Sequence, residues 1–217
     1  MSGAAAIDGR SIAAWLAQAS RSLHDQRESL TELDRVRGDA DHGANVDKGF
    51  EAAAAAAASQ AADPPSEVLL AASAALGARM GGTSGPLWRA ALRRMARSLG
   101  DAPAVEWPDF AAALLAGVEA MADLGDAREG DNTMIDVLLP AGRELAGSLE
   151  AGGDPAEAVE RATAAAREHA QESAERPALK GRAAYLGERV VGTVDPGCAS
   201  AAIIVSALAA AAAGVTG

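Results

Sequence analysis

Alanine constrains the fold of this chain more than any other residue type. It fills residues 52–58 and 209–213 without interruption, and hydrophobic residues make up 49% of the 217 positions while aromatic residues make up only 3%. Small residues with high helix propensity favour closely packed helices over a sheet. The alanine runs could also be called low complexity, but their helical flanks favour helix faces. The sequence therefore predicts an all-α fold.

Apolar spacing, together with helix start and stop signals, predicts eight helices and no convincing strand. They cover residues 12–30, 46–62, 66–80, 84–99, 108–124, 131–149, a segment opened by Asp154, and a last one from residue 195 to the alanine-rich C-terminus. Asp131, Asp154 and Asp195 are the expected N-caps, and Pro140 should kink the sixth helix. Short loops imply antiparallel neighbours, so we expect a bundle. No linker divides the chain, which predicts one domain over residues 1–217.

Charge and composition exclude several classes of protein. The formal net charge is −11 and the pI is about 4.7, which argues against binding to nucleic acid or to anionic membranes because no basic stripe is expected. A single cysteine, Cys198, fits a reducing compartment. The first residues do not resemble a signal peptide. We expect no window to reach the length and hydropathy of a membrane span, because the longest uncharged stretch, residues 196–217, consists mostly of small residues. We expect a soluble, cytoplasmic protein.

Residues 33–49 read L-D-R-V-R-G-D-A-D-H-G-A-N-V-D-K-G and carry the strongest chemical signal. Asp34, Asp39 and Asp41 fall within eight residues, with Gly38 and Gly43 beside them. Closely spaced aspartates and glycines suit a turn that points several oxygens at one place, and Mg²⁺ prefers oxygen ligands. An acidic, solvated turn is an equally good interpretation of this segment taken alone.

Three further loops have unusual compositions, and helix parity places them beside the aspartate turn. They are G-G-T-S-G-P-L at residues 81–87, G-D-A-R-E-G-D-N-T-M at 125–134, and K-G-R-A-A-Y-L-G-E-R-V-V-G-T-V-D-P-G at 180–197. The four loops follow predicted helices one, three, five and seven, and alternate loops of an up-and-down bundle share one end. The sequence therefore predicts one site built from all four loops.

The chemistry of those loops suits an anion. Gly81 and Gly82 allow a close backbone approach, and Thr83 and Ser84 add hydroxyls at a helix N-terminus, where free N–H groups favour phosphate. An ordinary helix cap is the favoured interpretation of that segment taken alone. Arg182 could supply a fixed cation for phosphate or for transition-state charge, or could form a surface salt bridge.

Taken together, D-x4-D-x-D-H-G-x-N, G-G-T-S-G-P-L, G-D-N-T-M-I-D and G-R-A-A-Y-L-G-E-R…D-P-G resemble the dihydroxyacetone kinase family. The resemblance is to its nucleotide-binding L subunit, or to the equivalent C-terminal domain of single-chain kinases. It covers essentially the whole chain. It implies a closed barrel of eight antiparallel helices with a nucleotide, ADP or ATP, at one end.

The resemblance also implies roles for individual residues. Asp34, Asp39 and Asp41 would hold a pair of Mg²⁺ ions, and Arg182 would act in catalysis. The nucleotide site would include His42, Gly43, Ala44, Asn45, Thr83, Ser84, Gly125, Met134, Arg182, Asp195, Pro196 and Gly197. Two positions depart from the family's pattern: Asn132 stands where many relatives carry Lys, and Cys198 follows the D-P-G turn, where we expect a buried thiol.

In the family, a separate K subunit holds the acceptor, dihydroxyacetone or a related short ketose. An M subunit of the phosphotransferase system rephosphorylates tightly held ADP in some members, whereas ATP exchanges in others. Three hypotheses about function therefore remain open: an L subunit for dihydroxyacetone, an ATP-exchanging kinase subunit for another triose or tetrose, and a non-catalytic regulatory relative that binds nucleotide. The sequence also leaves the oligomeric state open, a homodimer included.

Overall fold

The structure, a computed structural model, describes residues 6–213. The first five residues, which form part of the segment examined for a signal peptide, and the last four lie outside the described part. The α-helices are α1 (Gly9–Asp25), α2 (Arg27–Arg37), α3 (His42–Ser59), α4 (Pro65–Arg79), α5 (Ser84–Leu99), α6 (Trp107–Gly125), α7 (Ile135–Glu150), α8 (Pro155–Glu172), α9 (Pro196–Ser206) and α10 (Ala209–Ala213). Short 3₁₀ segments cover Ser173–Glu175 and Arg182–Val190. Strands β1 (Ile7–Asp8) and β2 (Ala104–Val105) form a two-stranded antiparallel ladder that the sequence did not signal.

The helices form a closed barrel in which each rod packs on the next along the chain. The first rod consists of α1 and α2, and the last consists of α9 and α10; α3 to α8 lie between them. Contacts of α1 with α9 and α10 close the ring. The expected barrel of eight antiparallel rods is confirmed. Two predicted helices are broken, however, at Gln26 and at residues 207–208, and neither break contains glycine or proline.

Small residues allow the rods to pack closely, as the composition indicates. Ala53 and Ala57 of α3 are fully buried. A Cβ placed on Gly117 of α6 would lie 2.7 Å from Met95 Cγ and 2.9 Å from the carbonyl oxygen of Ala91, both on α5. Contacts at these distances leave no room for a methyl group. The α5–α6 spacing is therefore set by a glycine.

Five of the six aromatic rings, all except the exposed Tyr185, are buried and form edge-to-face pairs. Phe110 packs on both Trp15 and Trp107, with ring centroids 6.0 Å and 5.8 Å away, and Phe50 packs on Trp88 at 5.4 Å. Such T-shaped pairs add to the energy of simple burial. These rings therefore provide the bulk that alanine lacks.

Two of the three predicted N-caps are confirmed. The carboxylate of Asp154 accepts the N–H groups of Ala156 and Glu157, and that of Asp195 accepts the N–H of Cys198. The prediction for Asp131 is wrong, since α7 begins at Ile135 and Asp131 is buried in the preceding loop, where it accepts the Arg128 N–H. Proline is tolerated inside α7, which continues through Pro140 as one helix.

One segment of the described residues is long and apolar enough to cross a membrane by length and composition alone. This segment is Pro196–Ala213, with a mean hydropathy of 1.8, which corrects the expectation that no window would reach this level. Within the barrel it packs against α1 and α8, and 56% of it is buried. It therefore serves as a core rod of the barrel.

Candidate functional site

The four unusual loops meet in one cleft at one end of the barrel, as helix parity predicts. The cleft has a volume of about 670 Å³. It is lined by residues from the end of α2 through the start of α3, from residues 81–87, from residues 124–135, from residues 180–183 and from the start of α9. Loops far apart in sequence thus form one continuous surface.

The aspartate turn joins α2 to α3 inside this cleft. Asp34 lies on the last turn of α2, while Asp39 and Asp41 lie in the connection. One ligand oxygen from each of the three carboxylates can be chosen so that all lie within 4.8 Å of one another. Gly38 is required here, because a Cβ at that position would overlap the carboxylate of Asp34. The turn therefore gathers three carboxylates at one point.

Backbone hydrogen bonds fix the orientation of Asp34. Its Oδ2 accepts the N–H of Asp41 at 2.9 Å and the N–H of His42 at 3.0 Å, and its side chain is buried. Ala40 closes the turn with φ = 62°, a left-handed conformation that is unfavourable for a residue with a Cβ. The local strain is thus part of the geometry that places the carboxylates.

Arg182 reaches this cluster from the segment between α8 and α9. Its Nη1 donates to Oδ2 of Asp39, and its side chain is 66% exposed. Both interpretations of this arginine are thus compatible with its position: it forms a salt bridge, and it does so in the cleft, beside the three carboxylates. A guanidinium at this place can neutralise negative charge on a carboxylate or on a phosphate.

The glycine-rich loop forms another part of the cleft wall. Gly82 adopts φ = 68°, and Thr83 and Ser84 stand at the N-terminus of α5. A Cβ on Gly81 would lie 2.7 Å from Oδ1 of Asn45, so the backbone and the amide are in close contact. Free N–H groups at a helix start attract anions. This wall can therefore bind phosphate in the same cleft as the carboxylates.

His42 and Ser200 link the base of the cleft to α9. His42 Nε2 lies 2.9 Å from Ser200 Oγ, which itself donates to the Gly197 carbonyl oxygen at 3.1 Å. Burial lowers the pKa of His42, against the opposing influence of nearby carboxylates, Asp195 first. The ring is therefore neutral at neutral pH and acts as a hydrogen-bonding group of the wall.

The remaining predicted residues divide into two groups. Gly125, Met134, Asp195, Pro196 and Gly197 all line the cleft. Gly43 and Ala44 do not. Gly43 is buried against α2, where a Cβ would overlap the Arg27 carbonyl oxygen and the Thr31 side chain. Its role in this structure is close helix packing.

Cys198 and Asn132, the two departures from the family pattern, both have structural partners. Burial raises the pKa of the Cys198 thiol well above its usual value, and its Sγ donates to the Thr133 carbonyl oxygen at 3.1 Å. Asn132 is 1% exposed and donates from Nδ2 to the carbonyl oxygens of Ser173 at 2.9 Å and Arg176 at 2.7 Å. The cysteine is thus the expected buried thiol, and Asn132 holds the end of α8 against the cleft.

Sequence reasoning missed Arg37, which lies in the cleft wall and is 1% exposed. Its Nη1 donates to the carbonyl oxygens of Thr193 at 2.6 Å and Ser173 at 3.2 Å, and its Nε lies 3.7 Å from Oδ2 of Asp195. Burial raises the pKa of Asp195, and the positive charge of Arg37 opposes that rise. No pattern in the sequence distinguishes this arginine from the exposed Arg35 two residues earlier.

Comparisons with known proteins agree with this geometry. A family model described as the DAK2 domain matches residues 36–210. The chain is 33% identical over 201 residues to the ADP-binding subunit DhaL of the PEP-dependent dihydroxyacetone kinase of Escherichia coli (strain K12), covering 93% of this chain and 96% of that protein. It is 37% identical to the L-erythrulose 1-kinase of Mycolicibacterium smegmatis, covering 92% of this chain but 35% of that protein.

A solved structure shows the same fold. The crystal structure of the dihydroxyacetone kinase from C. freundii in complex with AMP-PNP and Mg²⁺ superposes with a TM-score of 0.70 and 26% sequence identity. The match covers 91% of this chain and 33% of that one. The barrel thus has a counterpart in a known structure, and the chain belongs to the DAK2 domain family.

Proposed function

We propose that this chain is the nucleotide-carrying subunit of a dihydroxyacetone-type kinase. It would bind ADP or ATP with Mg²⁺ in the cleft, and phosphate would pass between the nucleotide and a short ketose. The observation that carries the proposal is the convergence of three carboxylates and a helix N-terminus in one cleft. The E. coli relative is named as an ADP-binding subunit, and the C. freundii structure holds AMP-PNP and Mg²⁺.

The residues present fit Mg²⁺ well. All three donors are carboxylate oxygens, the ligand type that hard cations select, and their ligand atoms lie within 4.8 Å of one another. Asp34 is oriented by two backbone N–H groups, so it is already placed to bind a cation. When bound, Mg²⁺ would neutralise charge on the phosphates and hold them in place. The family resemblance implies two ions.

The remaining residues would position the phosphates. The N-terminus of α5, with the hydroxyls of Thr83 and Ser84, offers donors to an anion on one side. On the other side, Arg182 is already beside the carboxylates and would exchange Asp39 for a phosphate oxygen once a cation occupies the carboxylates. Phosphoryl transfer relies chiefly on such positioning and on charge neutralisation. We therefore assign the catalytic role to Arg182 and the metal role to Asp34, Asp39 and Asp41.

We propose that the ketose is held by a separate K subunit and that this chain transfers phosphate only in its presence. Support comes from the E. coli relative, which is named as the ADP-binding subunit of a dihydroxyacetone kinase and of which 96% is covered. The similarity to erythrulose kinases extends the acceptor class to tetroses. A phosphotransferase-system M subunit or exchanging ATP would supply the phosphate. We further propose that residues 1–217 form a single nucleotide-binding domain.

Asp39→Ala tests the site assignment. We expect the variant to lose detectable Mg-ADP binding in titration calorimetry, because one of three metal ligands and the partner of Arg182 are removed together. Its helical circular dichroism should stay unchanged, since Asp39 is an exposed loop residue. The matched control is Asp109→Ala, an exposed aspartate on the first turn of α6. Undiminished Mg-ADP affinity in Asp39→Ala would disprove the assignment.

A coupled kinase assay separates the functional alternatives. The purified wild-type chain should not phosphorylate dihydroxyacetone or erythrulose alone. It should do so in the full mixture, which contains a K subunit and both phosphate donors in turn, Mg-ATP or a phosphorylated M subunit. Turnover without a K subunit would disprove the proposed division of labour. Mg-ADP binding without turnover in the full mixture would instead support the non-catalytic, regulatory alternative.

A further inference from the structure

The outer face of α5 carries a row of arginines. Arg89, Arg93 and Arg97 are spaced four residues apart, Arg94 stands beside them, and all four are exposed. Four-residue spacing places side chains on one face of a helix, so the row is about 12 Å long from Arg89 to Arg97. The expectation that this acidic chain has no basic stripe is therefore wrong for α5.

The fold does not use these four charges. Some other surface arginines form ion pairs, such as Arg143 with Glu129 at 2.7 Å and Arg161 with Glu144 at 3.5 Å, whereas Arg10 and Arg21 of α1 have no ion pair within the described part of the chain but do not form a row. In residues 6–213, none of the α5 arginines has a carboxylate within 4.0 Å. A chain with 30 acidic residues thus leaves the four arginines of this face without an ion pair. That arrangement favours an external anionic partner.

The arginines border a groove that begins at the mouth of the nucleotide cleft. The groove has a volume of about 450 Å³, and Pro86 and Leu124 line both it and the cleft. Its wall includes Ala90 and Ala120, which are partly buried, and Leu124, which is 58% exposed. A partner in this groove would therefore combine apolar contact with charge pairing while it faces the cleft.

We propose that this groove docks an acidic strip of the K subunit, the protein that presents the ketose to the cleft. The inference rests on the proposed function and identifies where its partner binds. A protein suits the groove because arginines around an apolar surface are typical of protein–protein interfaces. An extended polyanion suits it poorly, since DNA or an anionic membrane would also meet the acidic surface beyond this short row.

The test compares two doubly charge-reversed variants of the full chain. Arg93→Glu/Arg97→Glu alters the groove, and Arg10→Glu/Arg21→Glu makes the same charge change at exposed positions of α1. Affinity for the K subunit is measured by calorimetry with saturating Mg-ADP at low and high NaCl. We expect the groove variant to bind at least about tenfold more weakly and to lose most of the salt dependence, while the α1 variant binds like the wild type.

Mg-ADP binding to each chain alone distinguishes this inference from the proposed function. It should be equal in all three proteins, and its absence from the wild type would refute the proposed function rather than the docking site. Equal K-subunit affinity in the two variants, or no K-subunit binding by the wild type, would overturn the docking inference. Three other results would also overturn it. In each, the wild type shows an interaction that the groove variant loses in place of K-subunit binding: self-association, binding to phosphatidylglycerol vesicles, or binding to duplex DNA.

Discussion

Arg37 provides the most demanding test of how the cleft is held together. Its guanidinium is 1% exposed and connects three segments: α2, on which it lies, the end of α8 through Ser173, and the residues before α9 through Thr193 and Asp195. The Asp195 side chain is itself only 14% exposed. Removal of one member of a buried ion pair leaves the other charge without compensation. The pair should therefore matter greatly for stability.

We predict that Arg37→Met lowers the free energy of unfolding by about 3–5 kcal/mol. Methionine keeps most of the aliphatic volume, so the loss comes from the charge and from the donors to the two carbonyl oxygens, which contribute roughly 1–3 kcal/mol each. Such a change is a large fraction of the 5–15 kcal/mol that is usual for a domain. Urea unfolding, followed by circular dichroism at constant m-value, measures it directly.

Two further variants identify the cause. Arg35→Met, on the same helix, removes an exposed arginine paired with Glu32 and should lower the free energy of unfolding far less than Arg37→Met does, because solvent screens an exposed ion pair. Asp195→Asn keeps the N-cap of α9, so its addition to Arg37→Met should restore at least about 1 kcal/mol by removing the uncompensated charge. A loss below about 1 kcal/mol in Arg37→Met, or strict additivity of the two substitutions, would refute the account of a buried ion pair.

Two substitutions test the backbone and the packing. Ala40→Gly should raise the free energy of unfolding by about 1 kcal/mol, because Ala40 adopts φ = 62°. The control Ala55→Gly, at an exposed helical position of α3, should lower it by about as much. Urea unfolding that gave both changes the same sign would contradict this. Gly117→Ala should lower the free energy of unfolding by about 1–3 kcal/mol, because the added methyl group overpacks against Met95. Gly147→Ala, with open space around its Cβ, should raise it by about 0.5–1 kcal/mol. Equal melting temperatures for these two variants would show that α5 and α6 can separate without cost.

Much of the barrel can be predicted from the sequence because alanine leaves few alternatives. Helix propensity, caps and short connections together specify antiparallel rods, and parity alone places the four unusual loops at one end. The N-caps Asp154 and Asp195 are predicted correctly because an N-cap depends only on residues that are close in sequence. The basic row of α5 can also be seen in the sequence as arginines four residues apart, but the net charge of the whole chain does not reveal a local basic surface.

The sequence does not reveal features that depend on distant contacts. Asp131 looks like an N-cap, yet the loop continues because the Asp136 carboxylate accepts the N–H groups of Gly130 and Thr133. Arg37 and Arg35 are both charged residues near the end of α2, but only Arg37 faces the segments that follow α8. Whether a charged side chain is buried depends on the segments that pack over it. For Arg37, those segments lie about 140 residues further along the chain.

The pH dependence of Arg37→Met separates the lost charge from lost packing. Burial raises the pKa of Asp195 in the folded chain, and without Arg37 that pKa should rise further. A carboxyl group whose folded pKa exceeds its unfolded pKa contributes most to stability at low pH, and that contribution is lost as the pH rises through the folded pKa. The deficit of Arg37→Met relative to the wild type should therefore shrink as the pH falls from 7.5 to 5. The same deficit should be independent of pH when Asp195→Asn is present in both proteins, and a deficit independent of pH in the single variant would show that Arg37 acts through packing and hydrogen bonds alone.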